Sequence, residues 1–206
     1  MPPPKFLYFD LGNVLLRFDV GVMCQQVAAV AGVGPAEVFQ AMLCTPLQRE
    51  YELGRLSTRE FFEEFCRQTG ARPDFEPLLR AASDIFELNT GLIPVVANLR
   101  RAGYRLGVLS NTCESHWEHC VRRYAILREA FDVYALSYRI GAAKPDSAIF
   151  EAAARLAGVA PQDIFFTDDT PGHVEAARAA GFDAVQYTST AELVGELRRR
   201  GVELNY

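Results

Sequence analysis

Near the start of the chain four apolar residues, Phe6-Leu7-Tyr8-Phe9, run straight into a carboxylate, Asp10, and then into Leu11-Gly12-Asn13. A continuous apolar run of this length suits a strand buried on both faces, the condition of a strand inside a parallel sheet. Asp10 then stands at the strand's carboxyl end, directly before a glycine turn. In open α/β sheets that edge is where ligands bind. A carboxylate held there can attack as a nucleophile, ligate a cation, or do both. Asp before Gly also marks ordinary turns, so its meaning depends on the rest of the chain.

The strand signal recurs. Short runs rich in β-formers at 105–110, 133–137, 164–167 and 184–187 alternate with amphipathic stretches at 91–102, 114–124, 146–157 and 171–180, and 191–200 closes the series. This alternation predicts an α/β fold, a doubly wound parallel sheet covered by helices on both faces. Ala102-Gly103-Tyr104 and Ala180-Gly181-Phe182 supply glycines that end two helices before the chain re-enters the sheet. Between about 18 and 89 the alternation stops. That segment reads as helical throughout, with helices at 20–30, 35–43, 58–68 and 75–86 and no strand. Ser57-Thr58-Arg59-Glu60 carries the pattern of a reciprocal helix cap. The expected domains are a core, 1–17 and 90–206, and a small all-helical insert, 18–89, after the first strand.

Three later motifs bear on Asp10: Leu109-Ser110-Asn111-Thr112, Gly141-Ala142-Ala143-Lys144-Pro145 and Phe165-Phe166-Thr167-Asp168-Asp169. Two adjacent carboxylates ending an apolar strand repel each other unless a cation or donors neutralise them. Mg2+ suits such a site because it prefers oxygen ligands. Taken singly, the acidic pair could cap the helix after Pro171, and Ser110-Asn111-Thr112 could simply start one.

A nucleophilic Asp, a hydroxyl, a lysine and an acidic pair, in that order, resemble the haloacid dehalogenase-like hydrolase superfamily. The resemblance runs from Phe6 to about Tyr187. It implies a Rossmann-like core with a helical cap that closes over the site. It also implies an Mg2+-dependent phosphatase working through an aspartyl-phosphate on a small phosphorylated metabolite, with a sugar phosphate among the candidates. In that scheme Asp10 is the nucleophile. Ser110 and Asn111 bind the phosphoryl group, and Lys144 counters its charge. Asp10, the carbonyl of Gly12, Asp169 and Asp168 hold the metal. Arg17, Glu50 and Tyr51 are candidates for contacts from the cap.

One position departs from the pattern. Most phosphatases of the superfamily carry a second Asp two residues after the nucleophile, where it protonates the leaving group and activates water. Here that position is Gly12, which is also the residue a positive-φ turn would require. The Phe9–Val14 and Leu109–Thr112 segments look like a bacterial subfamily that shares this glycine and includes α-glucose-1-phosphate phosphatase. Two other readings stay open: a dehalogenase-type hydrolase attacking carbon, and a non-catalytic member that binds a phosphorylated ligand.

Composition excludes several other classes. Lys and Arg total 21 against 26 Asp and Glu, a net charge of −5, so no basic field exists for nucleic acid or a membrane surface. The basic run Arg198-Arg199-Arg200 reads as a solvated helix end. Five cysteines form no disulfide-like framework, and Met1-Pro2-Pro3-Pro4-Lys5 has no apolar core of a signal peptide. A reduced cytoplasmic protein is the expectation. Cys113, His116, His119 and Cys120 do not match common zinc spacings. His173 stands near the edge of the site, and Trp117 reads as packing.

Overall fold

The fold comes from a computed structural model that describes residues 3–204. The chain enters through β1 (Phe6–Phe9), turns, and forms the two-residue strand β2 (Leu16–Arg17). Five helices follow: α1 (Val20–Ala31), α2 (Pro35–Leu43), α3 (Leu47–Glu52), α4 (Thr58–Thr69) and α5 (Phe75–Ser83). A second short strand, β3 (Glu87–Leu88), pairs antiparallel with β2 and returns the chain to the core. From there α6 (Ile93–Arg101), β4 (Arg105–Ser110), α7 (Glu114–Arg123), α8 (Ile126–Glu129), β5 (Val133–Leu136) and α9 (Ser137–Ile140) lead to α10 (Ser147–Ala157). The remaining elements are β6 (Ile164–Asp168), α11 (Pro171–Ala179), β7 (Asp183–Gln186) and α12 (Thr190–Arg199).

The five long strands form one parallel sheet in the order β5-β4-β1-β6-β7. This is the doubly wound topology expected from the alternation, and it puts β1 in the centre. Side chains along β1 alternate faces as a pleated strand requires. Leu7 and Phe9 join a cluster with Leu106, Val108 and Phe165 that continues into the helical cap through Val14 and Leu16. Phe6 and Tyr8 join the opposite cluster with Ile149, Phe150 and Phe166. Both faces are apolar, so the sequence shows a continuous run instead of alternation. Tyr8 keeps its hydroxyl in this apolar layer by donating to the Ala153 carbonyl at 2.9 Å.

The insert differs from its all-helical expectation because β3 lies inside it. Two residues are too few to show a period-two pattern, and the β2–β3 ribbon forms only because the chain must leave and return at one place. The helix expected over 75–86 ends at Ser83 for the same reason. Helix α3, which the sequence reading left without structure, is six residues long and too short for a clear period. The expected reciprocal cap is present: Glu60 N–H donates to Ser57 Oγ, and Ser57 N–H donates to Glu60 Oε2 at 2.8 Å. Gly103 and Gly181 take positive φ, 84° and 90°, directly after their helices. Among the described residues no single helix is long and apolar enough to cross a membrane. All five cysteines are free, and Trp117 is buried against Tyr134. Arg200 departs from a solvated helix end: it is mostly buried and forks onto Asp183 at 2.5 and 2.8 Å.

Gly107 shows how tightly the centre is built. A Cβ on it would lie 2.4 Å from the Tyr8 ring and 2.8 Å from the Phe6 ring, in the fully buried layer between β1 and β4. Gly107→Ala is therefore expected to lower stability by about 1–3 kcal/mol through overpacking. Urea denaturation monitored by far-UV circular dichroism checks this, with an unchanged midpoint as the contrary result.

Candidate active site

Parallel register decides which residues meet. Phe9 on β1 lies abreast of Thr167 on β6 and Val108 on β4, so the carboxyl ends of the three strands meet at one edge within two residues of each other. Asp10 and Asp168 emerge side by side there, and Asp10 N–H donates to the Thr167 carbonyl at 3.0 Å. Ser110 closes β4 beside them, and the loop before α10 brings in Lys144.

Lys144 is the centre of the arrangement. Its side chain is 1% exposed, and its Nζ lies 2.9 Å from Asp10 Oδ1 and 2.5 Å from Asp168 Oδ2. A third contact, to the Leu109 carbonyl at 3.1 Å, uses the remaining proton of the ammonium. Burial disfavours this charge, but the two carboxylates outweigh it and push the lysine pKa up. Asn111 fixes the loop that carries Lys144. Its Oδ1 accepts from Lys144 N–H at 2.7 Å and its Nδ2 donates to the Lys144 carbonyl at 2.9 Å. The side chain read from the sequence as a phosphate binder is thus committed to placing the lysine. Ser137 locks the other side of the motif, accepting from Thr112 N–H and donating to its carbonyl, both at 2.9 Å.

The carboxylates are not equivalent. Asp10 Oδ1 accepts from Leu11 N–H at 2.7 Å as well as from Lys144. Burial pushes its pKa up to about 6, with Lys144 opposing and Asp168 adding to the rise. Asp168 is also fully buried, yet His173, Lys144 and the Thr170 N–H overcome that burial and hold its carboxyl below the usual range. His173 Nδ1 lies 3.2 Å from both Asp168 oxygens, which gives this histidine a place in the site. Asp169 is half-buried, held by Asn13 Nδ2 at 3.2 Å and the Thr170 hydroxyl at 3.4 Å. Asn13 is the residue that turns with φ 54°; Gly12 does not take positive φ. The turn therefore needs its special backbone at Asn13, a residue type that tolerates the left-handed region.

One oxygen from each of Asp10, Asp168 and Asp169 lies within 4.8 Å of the others. These carboxylates and one ammonium leave an excess of negative charge at a sheet edge, a donor set that fits a divalent, oxygen-preferring cation. Asp168 is already saturated by Lys144, Thr170 and His173, which leaves Asp10 and Asp169 as the more available ligands. The zinc arrangement does not form. His116 Nε2 faces the Ala82 carbonyl at 3.1 Å, His119 faces Asp84 at 3.6 Å, and burial raises the thiols of Cys113 and Cys120 to about 12.

A cavity of about 150 Å3 opens onto Gly12, Ser110 and Thr112 from the cap side. Its walls are largely apolar, including Phe18, Met23, Leu43 and Phe86, with Gln48, Glu52 and His116 as polar interruptions. The cap residues singled out from the sequence lie elsewhere. Glu50 pairs with Arg55 at 2.9 Å, Tyr51 is buried behind the wall, and Arg17 pairs with Glu87 in the β2–β3 ribbon. Glu52, one residue on, is the acidic group of α3 that lines the cavity; α3 was not resolved in the sequence, so its inward face could not be assigned.

The model of the haloacid dehalogenase-like hydrolases matches residues 5–181. The chain belongs to that family. It is 32% identical over 139 residues to phosphatase MT3486 of Mycobacterium tuberculosis, a stretch covering 67% of this chain and 56% of the relative. It is 26% identical over 201 residues to D-ribitol-5-phosphate phosphatase of Bacteroides thetaiotaomicron, covering 94% and 96% of the two chains. Its fold is similar, with a TM-score of 0.81 and 22% identity, to a HAD family enzyme of Bacteroides thetaiotaomicron in complex with magnesium and inorganic phosphate, covering 90% and 94%.

The raised Asp10 pKa sets a testable link to the metal. A cation needs the carboxylate ionised, so below about 6 its binding must displace a proton. Mg2+ affinity is expected to strengthen as pH rises from 5 to about 6 and to flatten above it. Below that point it falls by up to about tenfold per pH unit. Titration calorimetry in buffers of different ionisation heat reads both the affinity and the released proton. An affinity independent of pH across this range would contradict the assignment.

Proposed function

We propose that this chain is an Mg2+-dependent phosphatase acting on a small phosphorylated metabolite, a sugar or polyol phosphate, through an aspartyl-phosphate on Asp10. The observation that carries the reading is the convergence of Asp10, Asp168 and Asp169 around the buried Lys144 ammonium. The names of the two curated relatives, one a phosphatase and the other a ribitol phosphate phosphatase, support it. The motif likeness to the subfamily that includes α-glucose-1-phosphate phosphatase points the same way. So does the size of the cavity, which suits a compact leaving group. Residues 18–89 serve in this reading as the cap that excludes water during reaction.

Leu11 N–H and Lys144 orient the Asp10 carboxylate, one oxygen of which attacks. That oxygen bonds to phosphorus as the bond to the leaving oxygen breaks. Lys144 holds its charge against the transferring group, and Ser110 with the N–H groups of its loop binds the equatorial oxygens. Water then attacks the phosphorus, and the Asp10 carboxylate departs. Mg2+, held by Asp10, Asp169 and the Gly12 carbonyl, supplies charge neutralisation and Lewis acidity when bound. The cytoplasm is the proposed setting.

The acidic cluster also argues against the dehalogenase reading. A halo acid brings its own carboxylate, which the excess negative charge would repel without a cation. Asp10→Asn is expected to abolish turnover of a panel of sugar and polyol phosphates, while wild-type protein loses activity in chelator and regains it with Mg2+. Lys144→Met is expected to lower kcat by about 10²–10³-fold, the scale of losing one pre-organised charge partner. It should also destabilise the metal-free fold by about 3–5 kcal/mol, because two buried carboxylates lose their counter-ion. Halo-acid turnover that survives chelator would overturn the reading.

A further inference from the structure

Phosphoryl transfer to Asp10 leaves an alkoxide that needs a proton, and Gly12 offers none. A longer residue there would have to move the Phe18 ring: a Cβ on Gly12 would stand 2.9 Å from its edge. The nearby groups of the core are committed. Asp168 is ion-paired to Lys144, and His173 lies against Asp168. Two ionisable groups remain in the walls of the cavity that opens onto Gly12 and Ser110: His116 and Glu52. His116 Nε2 faces the Ala82 carbonyl and so carries its proton there, and burial keeps the ring neutral.

Glu52 is differently placed. Its Oε1 accepts from Gln48 Nε2 at 2.9 Å, leaving Oε2 with no donor among the described residues. His116 of α7 is the other titratable group in the cavity wall, and Cys113, buried just before α7, is near enough to feel the Glu52 charge. The α3 end that carries Glu52 is pinned to the core on both sides. Tyr51 Oη accepts from Ser115 N–H at 3.0 Å and meets the Thr58 hydroxyl at 2.9 Å, while Thr58 donates to Glu114 at 2.5 Å. Gly54, at φ 67°, presses so closely on the Tyr138 carbonyl that a Cβ would lie 2.1 Å from it. These contacts fix the end of α3 against the core, with Glu52 in the wall of the cavity that Gly12 and Ser110 also line, and a positioned carboxylate is what acid–base transfer requires.

We propose that Glu52, carried by the cap, is the general acid and base that replaces the carboxylate missing at Gly12. This deepens the phosphatase reading and rests on it. As the bond from phosphorus to the leaving oxygen breaks, the protonated Glu52 carboxyl gives its proton to that oxygen, and the product leaves as an alcohol. The resulting carboxylate takes a proton from water as the water oxygen bonds to phosphorus. The Asp10 carboxylate and inorganic phosphate are released, and the proton Glu52 gave in the first step is returned to it in the second.

The test compares Glu52→Gln and Glu52→Asp with wild type, using p-nitrophenyl phosphate and ribitol 5-phosphate in saturating Mg2+. The aryl leaving group needs no proton. Glu52→Gln is expected to lower kcat on the alkyl phosphate by about 10²–10⁴-fold. Its aryl reaction should show a fast burst of nitrophenol followed by slow turnover, with phosphorylated Asp10 accumulating. Glu52→Asp, shorter but still acidic, should recover part of the rate. Equal loss of the aryl burst and the alkyl rate would assign Glu52 to holding the cap and overturn the proposal. So would unchanged kinetics in Glu52→Gln. Failure of the underlying reading looks different: wild type with Mg2+ would then turn over neither substrate, or Asp10→Asn would remain active, and the Glu52 assignment would fall with it.

Discussion

The Lys144 ammonium between Asp10 and Asp168 is the interaction on which the rest of the site depends. Two carboxylates at the ends of adjacent strands are forced together by parallel register, because Phe9 and Thr167 lie abreast. Without a cation between them, both would be buried and mutually repelled, and one would be driven neutral. Lys144 reaches that point because Asn111 grips its backbone from the neighbouring strand end. Sheet topology, the Ser110-Asn111-Thr112 loop and the loop before α10 are therefore one device for placing one positive charge. A single lysine cannot neutralise the cluster once Asp169 is included, and that remaining charge gives the site its demand for a second cation.

Much of this was legible in the sequence, and the reasons are physical. The inner strands β1, β4 and β6 are almost wholly buried and show as apolar runs, so a doubly wound parallel sheet with Asp10 at a strand's carboxyl end could be anticipated. The glycines after α6 and α11 mark helix ends because the left-handed conformation there is nearly theirs alone. Asp10, Ser110, Lys144, Asp168 and Asp169 stand on those strands or at fixed offsets from them. The β2–β3 ribbon was not legible, since two residues carry no period. Nor was the commitment of the Asn111 side chain: an amide can bind phosphate or backbone with the same groups, and only the fold shows that Lys144 is within reach. Glu52 was hidden for a third reason. Its meaning depends on which face of a six-residue helix points inward, and one short helix cannot show that.

Gly12 illustrates how one residue admits two explanations until coordinates separate them. Its place in a turn suggested a backbone requirement, yet the positive φ belongs to Asn13. What a side chain at 12 would displace is the Phe18 ring, which comes from the first residue beyond β2 and packs tilted against Phe86 with a centroid distance of 5.7 Å. The glycine is thus tied to the apolar character of the cavity wall. Replacing the Asp usual at this position with Gly trades a polar wall for an aromatic one, and the trade removes the acid from the core.

That trade changes how closure and chemistry are coupled. When the acid stands on the core strand, an open cap still leaves the catalytic groups assembled, and closure serves mainly to exclude water. If the acid is on α3, as proposed, the nucleophile and the proton donor would stand on the core and on the helical insert, which meet through Tyr51, Thr58 and Gly54 against Ser115, Glu114 and Tyr138. Protonation of the leaving group then becomes possible only when those contacts are made. Binding energy from a substrate that fills the cavity can be used to complete the catalytic set, so discrimination appears in kcat as well as in KM. Water entering an open site meets the nucleophile without the acid, and a phosphoryl group bound there has no donor for its leaving oxygen. A cap-borne carboxylate, as proposed, would make the cavity wall around Phe18 and Phe86 part of the catalytic apparatus, because Glu52 stands in that same wall.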